Sequence, residues 1–330
     1  MGGISWADFN NDNFLDIGIT GFINEDPWYI TKIYENNQDE TFTELAGTNL
    51  PGMNYGKIKW ADYNNDTYQD FILTGYGDDF YTEIYKNNGD ETFSVSGISL
   101  HQGWLGDVEW ADYNNDNKID LVISGTGGDG TERYTKIYKN NGSGSFTETS
   151  DILTGVSHSS LEWADFDNDG DLDLYISGTP GDPGSGNYVS EVYLNDDNSF
   201  SLGTSFAPNY WGDAKVCDYN NDNLPDIVIS GYDNSENVFS AIYKNTTPVS
   251  ITFIEKNISI SPIPAKNFIK IESDDIINNV EMFNITGKLV LSERQNTKNA
   301  VVNIETLKSG VYFIKTFTNK QNNTQQIVIK

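Results

Sequence analysis

An all-β fold built from a repeated four-stranded unit is predicted by three features of this 330-residue chain. First, the phrase Trp-Ala-Asp-Tyr/Phe-Asn-Asn-Asp returns at Trp6–Asp12, Trp60–Asp66 and Trp110–Asp116. It recurs as Trp-Ala-Asp-Phe-Asp-Asn-Asp at Trp163–Asp169 and as Val-Cys-Asp-Tyr-Asn-Asn-Asp at Val216–Asp222. The spacing is about 53 residues, and self-similarity at such a period marks an array of small supersecondary units. Second, apolar residues alternate in short runs broken by Gly, Asn and Asp, with no helical periodicity. Third, 19 Tyr and 17 Phe give an aromatic share of 13%, which suits pleated strands.

Within each repeat the elements follow in order. A first strand runs into the acidic phrase, as at 56–63. A second leaves it alternating and ends in Thr/Ser-Gly, at Asp16–Gly21, Asp70–Gly75, Asp120–Gly125, Asp173–Gly178 and Asp226–Gly231. A third carries an Ile/Val-Tyr-x-Asn signature ending at Asn36, Asn87, Asn140, Asn195 and Asn245. A fourth begins at Phe42, Phe93, Phe146 and Phe200, after Asn-rich turns such as 87–90 and 140–143. Four short strands at this period describe the blades of a β-propeller. In such a meander the acidic loop and the turn between strands three and four share one face. The loops between strands two and three and the links between blades take the opposite face. After 248 the pattern stops; 249–257 reads as a linker or a last outer strand, and 258–330 as a small Ig-like β-sandwich rich in Lys and Asn.

The net charge of −29 makes nucleic acid and anionic membrane poor partners. Much of that charge lies in the repeated loops, in phase, which a merely solvated acidic surface does not explain. No apolar run reaches the length of a membrane span. The single cysteine, Cys217, permits no intramolecular disulfide and is expected to be a small buried residue in the Ala slot of the fifth repeat.

Numbered from its first Asp, each loop puts oxygen side chains at positions 1, 3, 5 and 9. These are Asp8, Asn10, Asp12, Asp16; Asp62, Asn64, Asp66, Asp70; Asp112, Asn114, Asp116, Asp120; Asp165, Asp167, Asp169, Asp173; and Asp218, Asn220, Asp222, Asp226. Calcium takes six to eight hard oxygens, and alternate side chains on a curled loop converge on one point. Position 7 varies (Phe14, Tyr68, Lys118, Asp171, Leu224), as a ligand acting through its carbonyl allows. Up to five Ca²⁺ ions are therefore expected, with magnesium disfavoured by its stricter octahedron. Position 6 needs a sharp turn of positive φ: Gly170 suits it, Asn13, Asn117 and Asn223 tolerate it, and Thr67 resists it. The fourth loop is expected to bind tightest and the second weakest. Asx-rich hairpin turns without metal are the competing reading, and five loops in register weigh against it.

These residues resemble the FG-GAP (VCBS-type) repeats of integrin α-subunit propellers and of many secreted bacterial proteins. The segment from Leu172 to Gly178 and the Tyr-Lys-Asn-Asn-Gly stretches at 85–89 and 138–142 carry the likeness over roughly residues 1–248. The resemblance implies a propeller with calcium in the one-to-two loops and ligand binding on the opposite face. Asn at position 3 in four loops and the missing Gly at four turns depart from the family pattern. Such propellers often have seven blades against five repeats here, and the abrupt start, with no signal peptide, favours an incomplete N-terminus over closure at five. The tail is similar to the type A C-terminal sorting domain of the Bacteroidetes type IX secretion system. The matching pieces lie at 261–266, 280–290, 307–315 and 327–330. That likeness implies export, then release or surface attachment, and the secretion machinery as a partner.

Catalytic patterns are thin. His101 and His158 sit in links entering a first strand, and Asp107 and Asp213 are the best acids for a hydrolase or lyase on the face opposite the loops. No nucleophile-elbow, zinc or Cys-x-x-Cys pattern occurs. The same face offers Trp28, Tyr55, Trp104, Tyr210 and Trp211 as candidate ligand contacts, with inter-blade packing as the plainer reading. The expectation is a non-catalytic, monomeric, extracellular or cell-surface module binding a glycan or a surface protein. A secreted polysaccharide hydrolase or lyase, or an accessory part of a larger enzyme, is the alternative.

Overall fold

The computed structural model describes residues 2–128, 130–182, 184, 186–246, 258–261, 265–284, 288–318 and 322–330. It divides into two compact units, residues 1–249 and 250–330. No helix among the described residues is long and apolar enough to cross a membrane.

The first unit is a series of antiparallel meanders. The first sheet comprises β1 (Gly2–Ala7), β2 (Asp16–Phe22), β3 (Tyr29–Asn36) and β4 (Phe42–Glu44). The second comprises β5 (Asn54–Ala61), β6 (Asp70–Tyr76), β7 (Phe80–Asn87) and β8 (Phe93–Val95). In the third, the inner strand is broken into β9 (Gly103–Trp104) and β10 (Val108–Ala111), followed by β11 (Asp120–Gly127), β12 (Glu132–Gly142) and β13 (Ser145–Glu148). The fourth comprises β14 (Ser157–Ala164), β15 (Asp173–Thr179), β16 (Val189–Asp196) and β17 (Ser199–Ser205). The fifth shows β18 (Tyr210–Cys217), β19 (Asp226–Tyr232) and β20 (Val238–Tyr243). The expected outer strand at 249–257 falls outside the described residues.

Inner strands lie side by side in chain order, β1 on β5, β5 on β10, β10 on β14 and β14 on β18. Alternation explains how they pack. In β5, Ile58 and Trp60 turn onto the preceding sheet, where a Cβ on Gly18 would meet Ile58 Cδ1 at 2.7 Å. Lys57 and Lys59 alternate with them and pair with Asp107 and Glu109 of the next blade, whereas Lys215 of β18 pairs with Glu162 of the blade before. The repeated Trp stacks on the aromatic at loop position 2 of the blade before: Phe9 with Trp60, Tyr63 with Trp110, and Tyr113 with Trp163, at interplanar angles of 14°, 15° and 12°. At the two ends the halves of this joint lie open, with Trp6 52% and Tyr219 54% exposed. Cys217 is exposed, against the expectation of burial, because no described sheet covers the outer side of β18.

The second unit holds β21 (Ile258–Ser261), β22 (Phe268–Asn284), β23 (Leu289–Asn303), β24 (Gly310–Thr318) and β25 (Asn322–Ile329). All five belong to one hydrogen-bonded sheet, because the 17-residue β22 pairs with β21 near its start and with β24 along its second half. Register shifts between Glu272 and Asn279 bend it. Its core includes Ile269, Ile271, Val280, Met282, Val302, Ile314 and Ile327. Thr286-Gly287, a turn signal in the sequence, lies outside the described residues.

Candidate metal centres and the opposite face

Every acidic loop uses one hydrogen-bond scheme. The position-1 carboxylate accepts the backbone N–H groups of positions 5 and 6, as at Asp62 from Asp66 (3.0 Å) and Thr67 (2.8 Å), and at Asp165 from Asp169 and Gly170 (3.0 Å each). The position-5 carboxylate accepts the N–H of position 7, for example Asp12 from Phe14 at 2.8 Å. The expected positive φ at position 6 is present throughout: Asn13 70°, Thr67 78°, Asn117 63°, Gly170 103° and Asn223 65°. Thr67 adopts it despite its β-branch. A second left-handed residue escaped the sequence reading, the position-4 Asn at 11, 65, 115, 168 and 221, with φ between 57° and 61°. Its amide reaches the neighbouring loop: Asn11 donates to Thr67 O (3.1 Å), and Asn115 to Asp171 Oδ1 (2.9 Å).

Position 9 opens the second strand and is fully or almost fully buried in every blade. Its carboxylate accepts the N–H of the Asn ending the third strand, as Asp70 does from Asn87 and Asp120 from Asn140, both at 2.7 Å. That Asn side chain donates across the blade boundary to the carbonyl of loop position 2: Asn87 to Phe9 (2.8 Å), Asn140 to Tyr63 (2.7 Å), Asn195 to Tyr113 (3.0 Å) and Asn245 to Phe166 (2.7 Å). The Ile-Tyr-x-Asn signature is thus a latch between blades. Burial pushes the carboxyls of Asp70, Asp120 and Asp173 up to about 7, and nearby loop carboxylates add to the shift.

Three carboxylates converge in the second loop (Asp62, Asp66, Asp70) and in the fourth (Asp165, Asp167, Asp173), their ligand atoms within 4.8 Å of one another. Asn64 Oδ1 and Asp167 Oδ1, both at position 3, are buried there without a hydrogen-bond partner. Orphaned hard oxygens beside crowded carboxylates fit a divalent cation. The third strand adds a distinction that the loops alone do not reveal. Lys86 pairs with Asp66 (3.2 Å), Lys139 with Asp116 (3.5 Å) and Lys244 with Asp222 (3.0 Å). In the first and fourth blades this slot holds Glu35 and Leu194. Lys118 adds a second ammonium to Asp116, at 3.0 Å.

These repeats match the FG-GAP-like repeat family model over residues 62–123 and 112–176, and residues 259–330 match the secretion system C-terminal sorting domain. The chain carries FG-GAP-like repeats and ends in a type IX secretion sorting domain. The sorting domain marks the protein for export to the cell surface or the extracellular space. No curated protein sequence matches the chain. One solved structure similar to it is PorZ, described as an essential bacterial surface component of the type IX secretion system of Porphyromonas gingivalis. The likeness covers 97% of this chain and 44% of that one, at 10% identity and a TM-score of 0.40. The chain thus spans less than half of that protein's length.

On the face opposite the acidic loops, the FG-GAP-like blades separate the five aromatic candidates. Tyr55 and Trp211 line a cavity of about 380 Å³ at the head of the inner strands. Trp104 packs among Tyr55, Tyr76 and Phe80, and the buried Tyr210 stacks on Tyr188 at 3.9 Å. Trp28 is 57% exposed on Phe22, away from that cavity. Tyr55, Trp104, Tyr210 and Trp211 sit in the first strands themselves and not in the links between blades, because those strands begin earlier than the sequence pattern suggests. His158 likewise belongs to β14. Asp107 is 4% exposed, paired with Lys57 (3.3 Å) and bonded by Leu161 N–H (3.0 Å). Asp213 accepts from Ser160 Oγ (3.2 Å) and Ala214 N–H (3.0 Å).

Proposed function

We propose that this exported chain is a calcium-braced, non-catalytic binding module whose ligand is a glycan, taken on the face opposite the acidic loops. The observation that carries the reading is the division of labour along the inner strands β5 and β14. One end opens into a loop of three converging carboxylates, and the other borders a cavity whose walls include Tyr55, His158 and Trp211. Calcium, when bound, supplies charge neutralisation and a cross-link within each loop. Positions 1, 3, 5 and 9 hold it through side chains and position 7 through its carbonyl, most favourably in the fourth loop. The chain's own residues do the rest: position-9 carboxylates tie loop to third strand, and Asn latches tie blade to blade. The mechanism is presentation of a rigid surface. The engagement of Asp107 and Asp213 in structural bonds supports a binding role over hydrolysis.

A glycan array probed in Ca²⁺ and in EDTA, alongside a polysaccharide-degradation assay, tests this. Binding that weakens in EDTA, without turnover, is the expected result. Turnover that disappears in D107N or D213N overturns it in favour of an enzyme.

A further inference from the structure

The cavity at the head of the inner strands is built from one backbone position that recurs in four blades. Its walls include Tyr55, Lys57, Leu105, His158, Ser159 and Trp211. Tyr55, Leu105, His158 and Trp211 occupy the same position in four successive blades, and each has left-handed backbone, with φ of 50°, 55°, 50° and 54°. Such geometry costs a non-glycine residue roughly 1–2 kcal/mol. It arises from a break in pairing: register shifts fall between Asn54 and Lys57, Ser157 and Ser160, and Tyr210 and Asp213, and the third inner strand is interrupted after Trp104. The next residue is Gly56, Gly106, Ser159 or Gly212; a Cβ on Gly106 or Gly212 would lie 1.7 or 1.6 Å from a carbonyl oxygen of the neighbouring strand. Glycine is therefore spent on the tight approach, while large side chains hold the strained position beside it. Strain repeated in phase around one cavity is the mark of a site.

The chemistry of the lining narrows the ligand. Trp211 is 43% exposed and meets His158 edge-on at 5.0 Å. Burial, with the charge of Arg133, pulls the His158 imidazole down to about 4, so it is neutral at ordinary pH and offers a donor and an acceptor. The one ammonium at the floor, Lys57, is matched by Asp107 at 3.3 Å, and Asp213 and Glu109 lie near enough to stabilise its charge further. The nearby Arg133 guanidinium is likewise paired, with Asp182 at 3.4 Å, so an anion finds no cation there without a carboxylate partner. An exposed indole, a phenol, a neutral imidazole and a bonded ion pair suit a ring with one apolar face and several hydroxyls.

We propose that this cavity holds the terminal sugar of a neutral glycan, its apolar face on Trp211 and its hydroxyls on His158 and Lys57. The proposal rests on the binding-module reading and assigns that module its site. The test is a titration, in Ca²⁺ buffer, of neutral gluco-, manno- and galacto-oligosaccharides with oligogalacturonate as the acidic control. Calorimetry and tryptophan fluorescence give the affinities. A neutral oligosaccharide binds the wild type and shifts its fluorescence. W211G, for which the left-handed backbone is native, keeps the fold by circular dichroism and loses at least tenfold in affinity. H158A loses several-fold, and W28A, on an aromatic away from the cavity, stays within twofold. Neutral glycans that bind W211G and H158A like the wild type overturn the site and leave the binding module standing. Preference for oligogalacturonate overturns the ligand class. A surface protein that competes for the cavity while no sugar binds overturns the glycan reading as a whole.

Discussion

If the acidic loops hold calcium as proposed, Leu194 is the position at which affinity is most open to manipulation. In the second, third and fifth blades the equivalent side chain is a lysine that reaches the position-5 carboxylate, at 3.2, 3.5 and 3.0 Å. In the fourth blade Leu194 leaves Asp169 without that partner, in the loop that also holds Asp165, Asp167, Asp171 and Asp173. A divalent ion and an ammonium sharing one carboxylate stand roughly 5 Å apart by ordinary bond lengths. At the dielectric of water their repulsion is then about 1.7 kcal/mol, somewhat less with salt and more where solvent is scarce. Lowered by salt to about 1.4 kcal/mol, it corresponds to about a tenfold change in affinity. L194K should weaken the fourth loop about tenfold, whereas L194M, matched in length without charge, stays near the wild type. K139M should strengthen the third loop by a similar factor. Terbium luminescence sensitised by the neighbouring aromatics, with calorimetric stoichiometry, reads both directions. An L194K protein that binds as tightly as L194M refutes the reasoning, since the strand-three cation would then be irrelevant to the loop.

Two further outcomes follow from buried groups. N140L removes donors to Tyr63 O and Ile119 O inside a boundary between blades, and two buried carbonyls without partners cost about 2–3 kcal/mol. It should lower the melting temperature of the propeller unit by roughly 5–10 °C, while N141A, an exposed neighbour, barely moves it. Glu109 is raised to about 7, chiefly by burial and then by the charge of Asp107, against about 4.3 in an unfolded chain. Between those values the native state binds more protons than the unfolded one, so this residue makes stability fall as pH rises from about 5 to 7. Denaturant melts of E109Q across that window should lack this part of the slope; an unchanged slope refutes the assignment.

Much of the fold was legible because single residues serve two purposes. The position-9 Asp both begins a strand and closes a loop, so finding the loops also found β2, β6, β11, β15 and β19. The Ile-Tyr-x-Asn signature marked the third strands, although its cross-blade bond to a residue about eighty positions back was beyond local pattern. Three carboxylates converge in the second and fourth loops, while the lysines that distinguish the loops lie on another strand. The strained quartet was invisible for a related reason. Tyr55, Leu105, His158 and Trp211 share no residue type, and only the pairing break beneath them places them alike. Cys217 was misjudged because burial in this slot depends on a neighbouring sheet, not on the repeat itself.

The joint between blades also governs how the molecule comes apart. Each sheet leans on the aromatic, the carbonyl and the asparagine of the one before it, so cohesion propagates from neighbour to neighbour as in a linear array. Loss of one latch, as in N140L, would then raise hydrogen exchange most in the two blades that it joins and progressively less in those beyond.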